Sequence, residues 1–195
     1  MARYEAMGRL WLVRETDLES LLPLRYGDTV HVKTWVDDFR RVRSRRAYEF
    51  RLASSGEIAA RASTDWVFME AATGRLATIP PELMTAFFPE GMPERAQPRE
   101  RLPSASPPPT GVFISRRRVM WRDIDAAQHV NNSNYLAYVE DCAAQVVAAH
   151  GWSLERMRSE GAALVVRRFQ IEHLQPALLD DELELTTWAS HATHD

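Results

Sequence analysis

The strongest constraint on the fold is an internal repeat, in which residues 8–35 recur as residues 161–188 at an offset of 153. Nine of the 28 aligned positions are identical, where chance would give about one or two. The identical pairs are Gly8/Gly161, Val13/Val166, Arg14/Arg167, Glu19/Glu172, Leu21/Leu174, Pro23/Pro176, Asp28/Asp181, Thr34/Thr187 and Trp35/Trp188. The sequence therefore predicts two related units in tandem, with the chain starting inside the first copy and stopping inside the second.

A proline-rich stretch separates the two copies. Seven of the eleven prolines lie within residues 89–110. Proline fixes φ and lacks a backbone N–H, so this stretch predicts an extended connector rather than regular structure. We expect a first unit over residues 1–88, a linker over 89–112 and a second unit over 113–195.

Period-two alternation of apolar residues predicts strands in the first unit. The predicted strands cover residues 9–22, 28–36, 47–52 and 58–68. Ser54-Ser55-Gly56, between the last two, is typical of a hairpin turn. This pattern indicates an antiparallel meander of four strands.

The second unit combines strands with one long helix. Apolar residues spaced by three and four predict a helix from about Ser133 to His150. A short strand at 118–121 precedes it, and strands at 162–173 and 181–189 follow it. One helix packed against an antiparallel sheet is an α+β architecture.

The densest polar cluster, residues 123–134, lies directly before that helix. It holds two carboxylates, one histidine and three asparagines. A helix N-terminus presents unpaired N–H donors and positive potential, which can hold a developing oxyanion. Asp125 could act as a general base on water or as a nucleophile, and His129 could share proton transfer or orient the water. The alternative is a capped helix with an Asx-rich turn, with Asn131, Asn132 or Ser133 as the cap.

Composition excludes several classes of protein. The net charge of −3 argues against a binder of nucleic acid, and no apolar run approaches the length of a membrane span. The first residues hold no apolar leader segment, so we expect a cytoplasmic protein. A single cysteine, Cys142, excludes an intrachain disulfide and a cysteine-based zinc cluster, and its place on the apolar stripe predicts a buried thiol.

Arginines are concentrated in one short segment, residues 40–46, which holds five of them. Guanidinium groups could bind the phosphates of CoA or an acidic carrier protein. The alternative is a solvated hairpin. No G-x-S-x-G, H-E-x-x-H or P-loop motif occurs, so a serine hydrolase, a zincin and a nucleotide hydrolase have no support.

The polar cluster resembles a known motif. Trp121-Arg122-Asp123-Ile124-Asp125, His129-Val130-Asn131-Asn132 and Tyr135-Leu136 are similar to the D-x-D…H-V-N-N…Y motif of hotdog-fold thioesterases, above all the acyl-ACP and hydroxybenzoyl-CoA thioesterase groups. The first unit also resembles acyl-ACP thioesterases. The matching segments there are Gly27-Asp28, Thr34-Trp35, Gly56-Glu57, Trp66-Val67-Phe68 and Thr73-Gly74-Arg75-Leu76.

The resemblance implies a hotdog fold, in which an antiparallel sheet wraps around a long helix, here as a double hotdog. It implies hydrolysis of a fatty acyl thioester, carried by acyl carrier protein or CoA, without a metal or an organic cofactor. The catalytic aspartate of the family matches Asp125 and its histidine matches His129. Its backbone donors at the helix start correspond to Asn131 and Asn132.

The chain also departs from the acyl-ACP pattern. Ala127 stands where many members have asparagine, and Pro176 stands where they place a glutamate. By this comparison the first unit lacks its opening strand and helix and the second lacks its last strands. If no other chain supplies the missing strands, sheet edges are exposed, and we expect them to favour association into homo-oligomers. A non-catalytic acyl-CoA-binding module is the alternative function. A hotdog hydratase or dehydratase is a third, for which the sequence shows no motif.

Overall fold

The computed structural model describes residues 8–91 and 107–189. The chain divides into two units, residues 1–102 with 166–174 and residues 103–165 with 175–195. Residues 92–106, which hold most of the predicted linker, lie outside the described residues.

In the described residues, seven strands form two antiparallel sheets. The strands are β1 (Arg9–Ser20), β2 (Val30–Arg40), β3 (Arg43–Leu52), β4 (Ile58–Glu70), β5 (Phe113–Arg118), β6 (Arg168–Glu172) and β7 (Glu182–Thr187). The first unit holds the sheet ordered β2-β3-β4-β1-β6, and the second holds the pair β5-β7. The four strands predicted for the first unit are present. However, β1 pairs with β4 instead of β2, so only β2, β3 and β4 form the expected meander.

The core of the first unit lies at one end of its sheet. Phe39, Phe68, Ala77 and Ile79 form the buried cluster. A short helix, α1 (Pro81–Phe87), starts with proline at its first position, where the missing N–H has no intrahelical acceptor in any case. Leu83 and Met84 of this helix pack against the cluster and close that end of the sheet.

The two copies of the repeat meet in the first sheet, where β1 pairs with β6. Asp17 lies opposite Gln170, and these two residues are equivalent in the repeat because 17 + 153 = 170. The ladder is therefore symmetric about this pair, as in an isologous interface between two identical subunits. The repeat-based boundaries placed residues 166–174 in the second unit, whereas this strand completes the first sheet. The tandem of two whole units stays a prediction.

A charged network links the same two strands. The Arg168 guanidinium donates to both carboxylate oxygens of Asp17, at 2.9 and 2.6 Å. This hydrogen bonding lowers the pKa of Asp17, and the Gln170 amide adds to the effect at 3.2 Å. The network stabilises the pairing of β6 at the sheet edge.

The second unit places one long helix, α2 (Asn132–Ala149), beside the β5–β7 pair. A six-residue helix, α3 (Leu154–Ser159), follows it. The buried residues are Val119, Val130, Tyr138 and Ala177, and Leu183 and Leu185 of β7 pack against them. The predicted α+β fold is confirmed, and α2 agrees with its expected bounds to within one residue.

The strands around α2 differ from their predicted bounds. The strand expected at 118–121 ends at Arg118 and is followed by a 3-10 turn, Trp121–Asp123. The later strands are shorter than expected, and the helices α1 and α3 were not predicted. None of the helices in the described residues is long and apolar enough to span a membrane.

Candidate active site

A tight loop carries the predicted catalytic pair. The Asp125 backbone N–H donates to the His129 carbonyl at 3.0 Å, and the Gln128 N–H donates to the Asp125 carbonyl at 3.0 Å. Gln128 has a φ of 64°, a left-handed conformation that few residues other than glycine adopt. The turn closes on itself, so residues only four apart in sequence lie side by side.

Asp125 and His129 face each other across this loop. The Asp125 Oδ1 lies 3.9 Å from the His129 Nδ1, and their side chains are 30% and 22% exposed. That separation is too long for a direct hydrogen bond but allows an ion pair. Oδ1 also accepts from the Ala127 N–H at 2.8 Å, which is the Asx turn that residue type alone favours. Among the described residues nothing donates to Oδ2, so this oxygen is available to a water or a substrate.

The start of α2 offers one free backbone donor. The Val130 N–H donates to the Ala177 carbonyl at 2.9 Å, and the Asn131 N–H donates to the Asp123 carbonyl at 2.8 Å. In the described part of the chain the Asn132 N–H has no acceptor. A free N–H at the positive end of an 18-residue helix is a suitable donor to an oxyanion.

Asn131 has the capping role that the sequence offered as an alternative, and not that of an oxyanion donor. Its side-chain Oδ1 accepts from the Ser133 N–H at 3.0 Å and from the Ser133 Oγ at 2.7 Å. Asn131 is therefore the N-cap of α2, and its own N–H is already used. Of the two amides predicted to hold an oxyanion, only that of Asn132 is free to do so.

Two further residues hold the loop against the helix, and sequence reasoning gave them no role. The Asp123 carbonyl accepts from the Asn131 N–H and also from the Asn134 Nδ2, at 2.9 Å. Asp123 is 5% exposed, and its Oδ2 accepts from the Met120 N–H at 2.9 Å. The D-x-D spacing was the signal that could have drawn attention to Asp123.

The arginine-rich segment and Cys142 lie outside the Asp125 loop. The arginine-rich segment forms the β2–β3 hairpin, where Arg40 pairs with Asp38 and Arg45 pairs with Asp65, each at 3.1 Å. Cys142 is buried on α2 as expected, and burial raises the pKa of its thiol. No group of three or more His, Cys, Asp and Glu side chains in residues 8–91 and 107–189 is placed to hold a metal ion.

Two protein families match the chain in separate halves. The acyl-ACP thioesterase N-terminal domain matches residues 2–87, and the thioesterase-like superfamily matches residues 119–195, which include the loop and α2. The chain belongs to the thioesterase superfamily. The family resemblance predicted from the D-x-D…H-V-N-N motif is thereby confirmed.

Two curated relatives show the extent of the similarity. A palmitoyl-acyl carrier protein thioesterase of Arabidopsis thaliana is 30% identical over 146 residues, which is 73% of this chain and 34% of that protein. A dodecanoyl-[acyl-carrier-protein] hydrolase of Umbellularia californica is 29% identical over 133 residues, which is 67% of this chain and 35% of that protein. Both relatives are chloroplastic. The chain spans about a third of the length of these thioesterases.

Solved thioesterase structures share the fold. The 12:0-ACP thioesterase from Umbellularia californica superimposes with a TM-score of 0.72 at 22% identity, covering 98% of this chain and 70% of that one. An acyl-ACP thioesterase from Bacteroides thetaiotaomicron gives a TM-score of 0.67 at 17% identity, covering 93% and 66%. These superpositions confirm the hotdog fold expected for this superfamily member.

Proposed function

We propose that the chain hydrolyses a fatty acyl thioester carried by acyl carrier protein or CoA, and that the Asp125 loop is the catalytic centre. The observation that carries this proposal is the free Asn132 N–H at the start of α2, on the same loop-to-helix junction as the Asp125 carboxylate. A base for water and a donor for the carbonyl oxygen are the two groups that thioester hydrolysis needs.

Each residue has a distinct role in the proposed reaction. The Asp125 carboxylate takes a proton from water as the water oxygen adds to the thioester carbonyl, and His129 orients this water. The Asn132 N–H holds the negative charge on the carbonyl oxygen, and Asn131 supports it indirectly by capping the helix. The tetrahedral intermediate then breaks its C–S bond, and the thiolate leaves with the proton from Asp125. The products are a fatty acid and the free thiol of the carrier.

The second unit contains an apolar cavity that suits a long acyl chain. Its volume is about 730 Å³, and Phe113, Val146, Val147 and Trp188 are among its lining residues. Val146 is 14 residues along α2 from Asn132, which is about 21 Å at 1.5 Å per residue. An acyl group that reaches the cavity from Asn132 must therefore be long.

The test is release of free thiol from acyl-ACP and acyl-CoA of several chain lengths. Asp125→Asn should lower kcat by about 10²- to 10⁴-fold, because the amide cannot accept the proton from water. Glu140→Gln on the exposed surface of α2 makes the same chemical change away from the loop and should keep wild-type kcat. Full activity in Asp125→Asn would refute the role given to Asp125.

The alternative function is an acyl-CoA-binding module without turnover. Ala127 favours it, because its methyl side chain offers no hydrogen bond at a position where many acyl-ACP thioesterases have asparagine. The same assay separates the two functions, since tight binding of acyl-CoA without thiol release would support the module. The cytoplasmic location stays a prediction.

A further inference from the structure

A buried polar pair, Asp123 and Tyr138, adjoins the Asp125 loop. Asp123 is 5% exposed and Tyr138 is 3% exposed, and Tyr138 belongs to the apolar cluster of the second unit. The Arg117 guanidinium covers the Tyr138 ring at 3.5 Å from its centroid. A buried carboxylate is costly, and an apolar side chain of similar volume often gives equal or higher stability at such a position. The pair therefore calls for an explanation beyond packing.

Asp123 connects both halves of the candidate site. It is two residues before Asp125, and its carbonyl accepts the Asn131 N–H that precedes the free donor of Asn132. Its carboxylate is held at the other end by the Met120 N–H, at 2.9 Å. A displacement of Asp123 must therefore move the Asp125 loop and the start of α2 together.

Tyr138 supplies a buried donor beside the Asp123 carboxylate. Its hydroxyl oxygen is fully buried and makes no hydrogen bond of good geometry with the described residues. Burial raises the pKa of Tyr138 to about 12, and the neighbouring Asp123 carboxylate contributes to the increase. The hydroxyl thus keeps its proton at neutral pH, and the carboxylate beside it is an acceptor.

We infer that Asp123 and Tyr138 are positioning residues for the Asp125 loop. When a thioester lies between Asp125 and Asn132, the Tyr138 hydroxyl donates to the Asp123 carboxylate, and this bond holds the base and the oxyanion donor at their working separation. The inference rests on the proposed function, because it assigns to the pair a task in the same reaction.

Tyr138→Phe removes one oxygen and almost no volume. A hydrogen bond to a charged group that forms only in the reacting complex corresponds to about a 10-fold or larger fall in kcat when it is lost. We expect KM to change less than kcat, because the variant can still bind the thioester but no longer holds the base and the oxyanion donor at their working separation. The thermal midpoint should stay near the wild-type value, since the hydroxyl has no good bond in the free protein. If Tyr138 only fills the core, Tyr138→Phe should keep the wild-type kcat and the wild-type dependence of kcat on pH.

A matched control and a rescue variant sharpen the test. Tyr48→Phe makes the same change in the first unit, where the hydroxyl contacts Thr64 at 3.3 Å, and should keep kcat. Asp123→Asn keeps one neutral acceptor oxygen, which Tyr138 and the Met120 N–H would have to share, so its kcat should fall less than that of Asp123→Ala. The kcat of Asp123→Ala should fall at least as far as that of Tyr138→Phe. If Asp123→Ala does not fold, the kcat values of Tyr138→Phe and Asp123→Asn still test the inference. A kcat within twofold of wild type in Tyr138→Phe would overturn the inference.

A second readout separates this inference from the proposed function. Hydrogen exchange of the Asn131 N–H should slow by about tenfold when wild-type protein binds a palmitoyl-CoA thioether, which cannot be hydrolysed, and should not slow in Tyr138→Phe. Wild-type protein that shows this protection but releases no thiol from acyl-ACP or acyl-CoA would refute the proposed function alone. Wild-type protein without protection, or equal protection in both proteins, would refute the positioning role.

Discussion

At the residue scale, His173 gives the first sheet a pH-dependent stability. Its backbone N–H donates to the Arg14 carbonyl at 2.8 Å, and burial, with the Arg14 charge, lowers the pKa of its imidazole below the usual 6.5. The unfolded chain therefore takes up the proton first, so the free energy of unfolding should fall as pH drops below about 6.5 toward the folded pKa. His173→Gln should reduce the difference in unfolding free energy between about pH 7.5 and about pH 5, measured with denaturant.

The exposed His31 on β2 provides the control for this prediction. His31→Gln should retain the wild-type dependence on pH, because its side chain lies in solvent. An unchanged dependence in His173→Gln would show that other groups control this pH range.

At the residue scale, some features of the candidate site could be predicted from the sequence and others could not. Asp125 and His129 were predicted from residue type and spacing. In the structure, the Asp125 Oδ1 lies 3.9 Å from the His129 Nδ1. The unequal use of the Asn131 and Asn132 amides could not be predicted, because the acceptor of the Asn131 N–H is the Asp123 carbonyl. That contact depends on how the loop closes, and every residue type has the same carbonyl group.

At the element scale, the start of α2 depends on one side chain. The Asn131 Oδ1 accepts two hydrogen bonds from Ser133, so Asn131→Ala should lower the free energy of unfolding by about 1 kcal/mol. Asn131→Asp keeps the acceptor and adds a charge that suits a helix N-terminus, so its stability should match the wild type. Denaturant unfolding measures both variants. A stability of Asn131→Asp as low as that of Asn131→Ala would contradict the capping role.

Elements with long periodic patterns were predictable and short ones were not. The helix α2 has seven apolar residues spaced by three and four, and its bounds followed from that stripe. The helix α1 covers only seven residues and begins at Pro81, directly after Pro80, so its apolar pattern is too short to define a helix. The sequence predicted β1 and β6 as strands but could not identify their neighbours, because a strand pattern defines the faces of a strand and not its partner.

At the scale of the whole molecule, the chain passes between its two units more than once. Residues 166–174 belong to the first unit, while the segments on either side, 103–165 and 175–195, belong to the second. The repeat explains this route, because the second copy of the repeated strand pairs with the first copy in a symmetric ladder. A chain cut between residues 92 and 106 should therefore remain joined through the β1–β6 pairing.

The last prediction tests that pairing with a protease site inserted between residues 92 and 106. After cleavage, the fragments should elute together in size-exclusion chromatography, because β6 on the second fragment pairs with β1 on the first. The Ser20 N–H donates to the Arg167 carbonyl, and hydrogen-bonded pairs alternate along an antiparallel ladder, so the Phe169 N–H faces Leu18. Phe169→Pro removes that donor and should separate the cut fragments. Leu164→Pro, in the exposed segment before β6, should leave them together. Separation of the cut wild-type fragments would mean that the ladder does not hold the chain together.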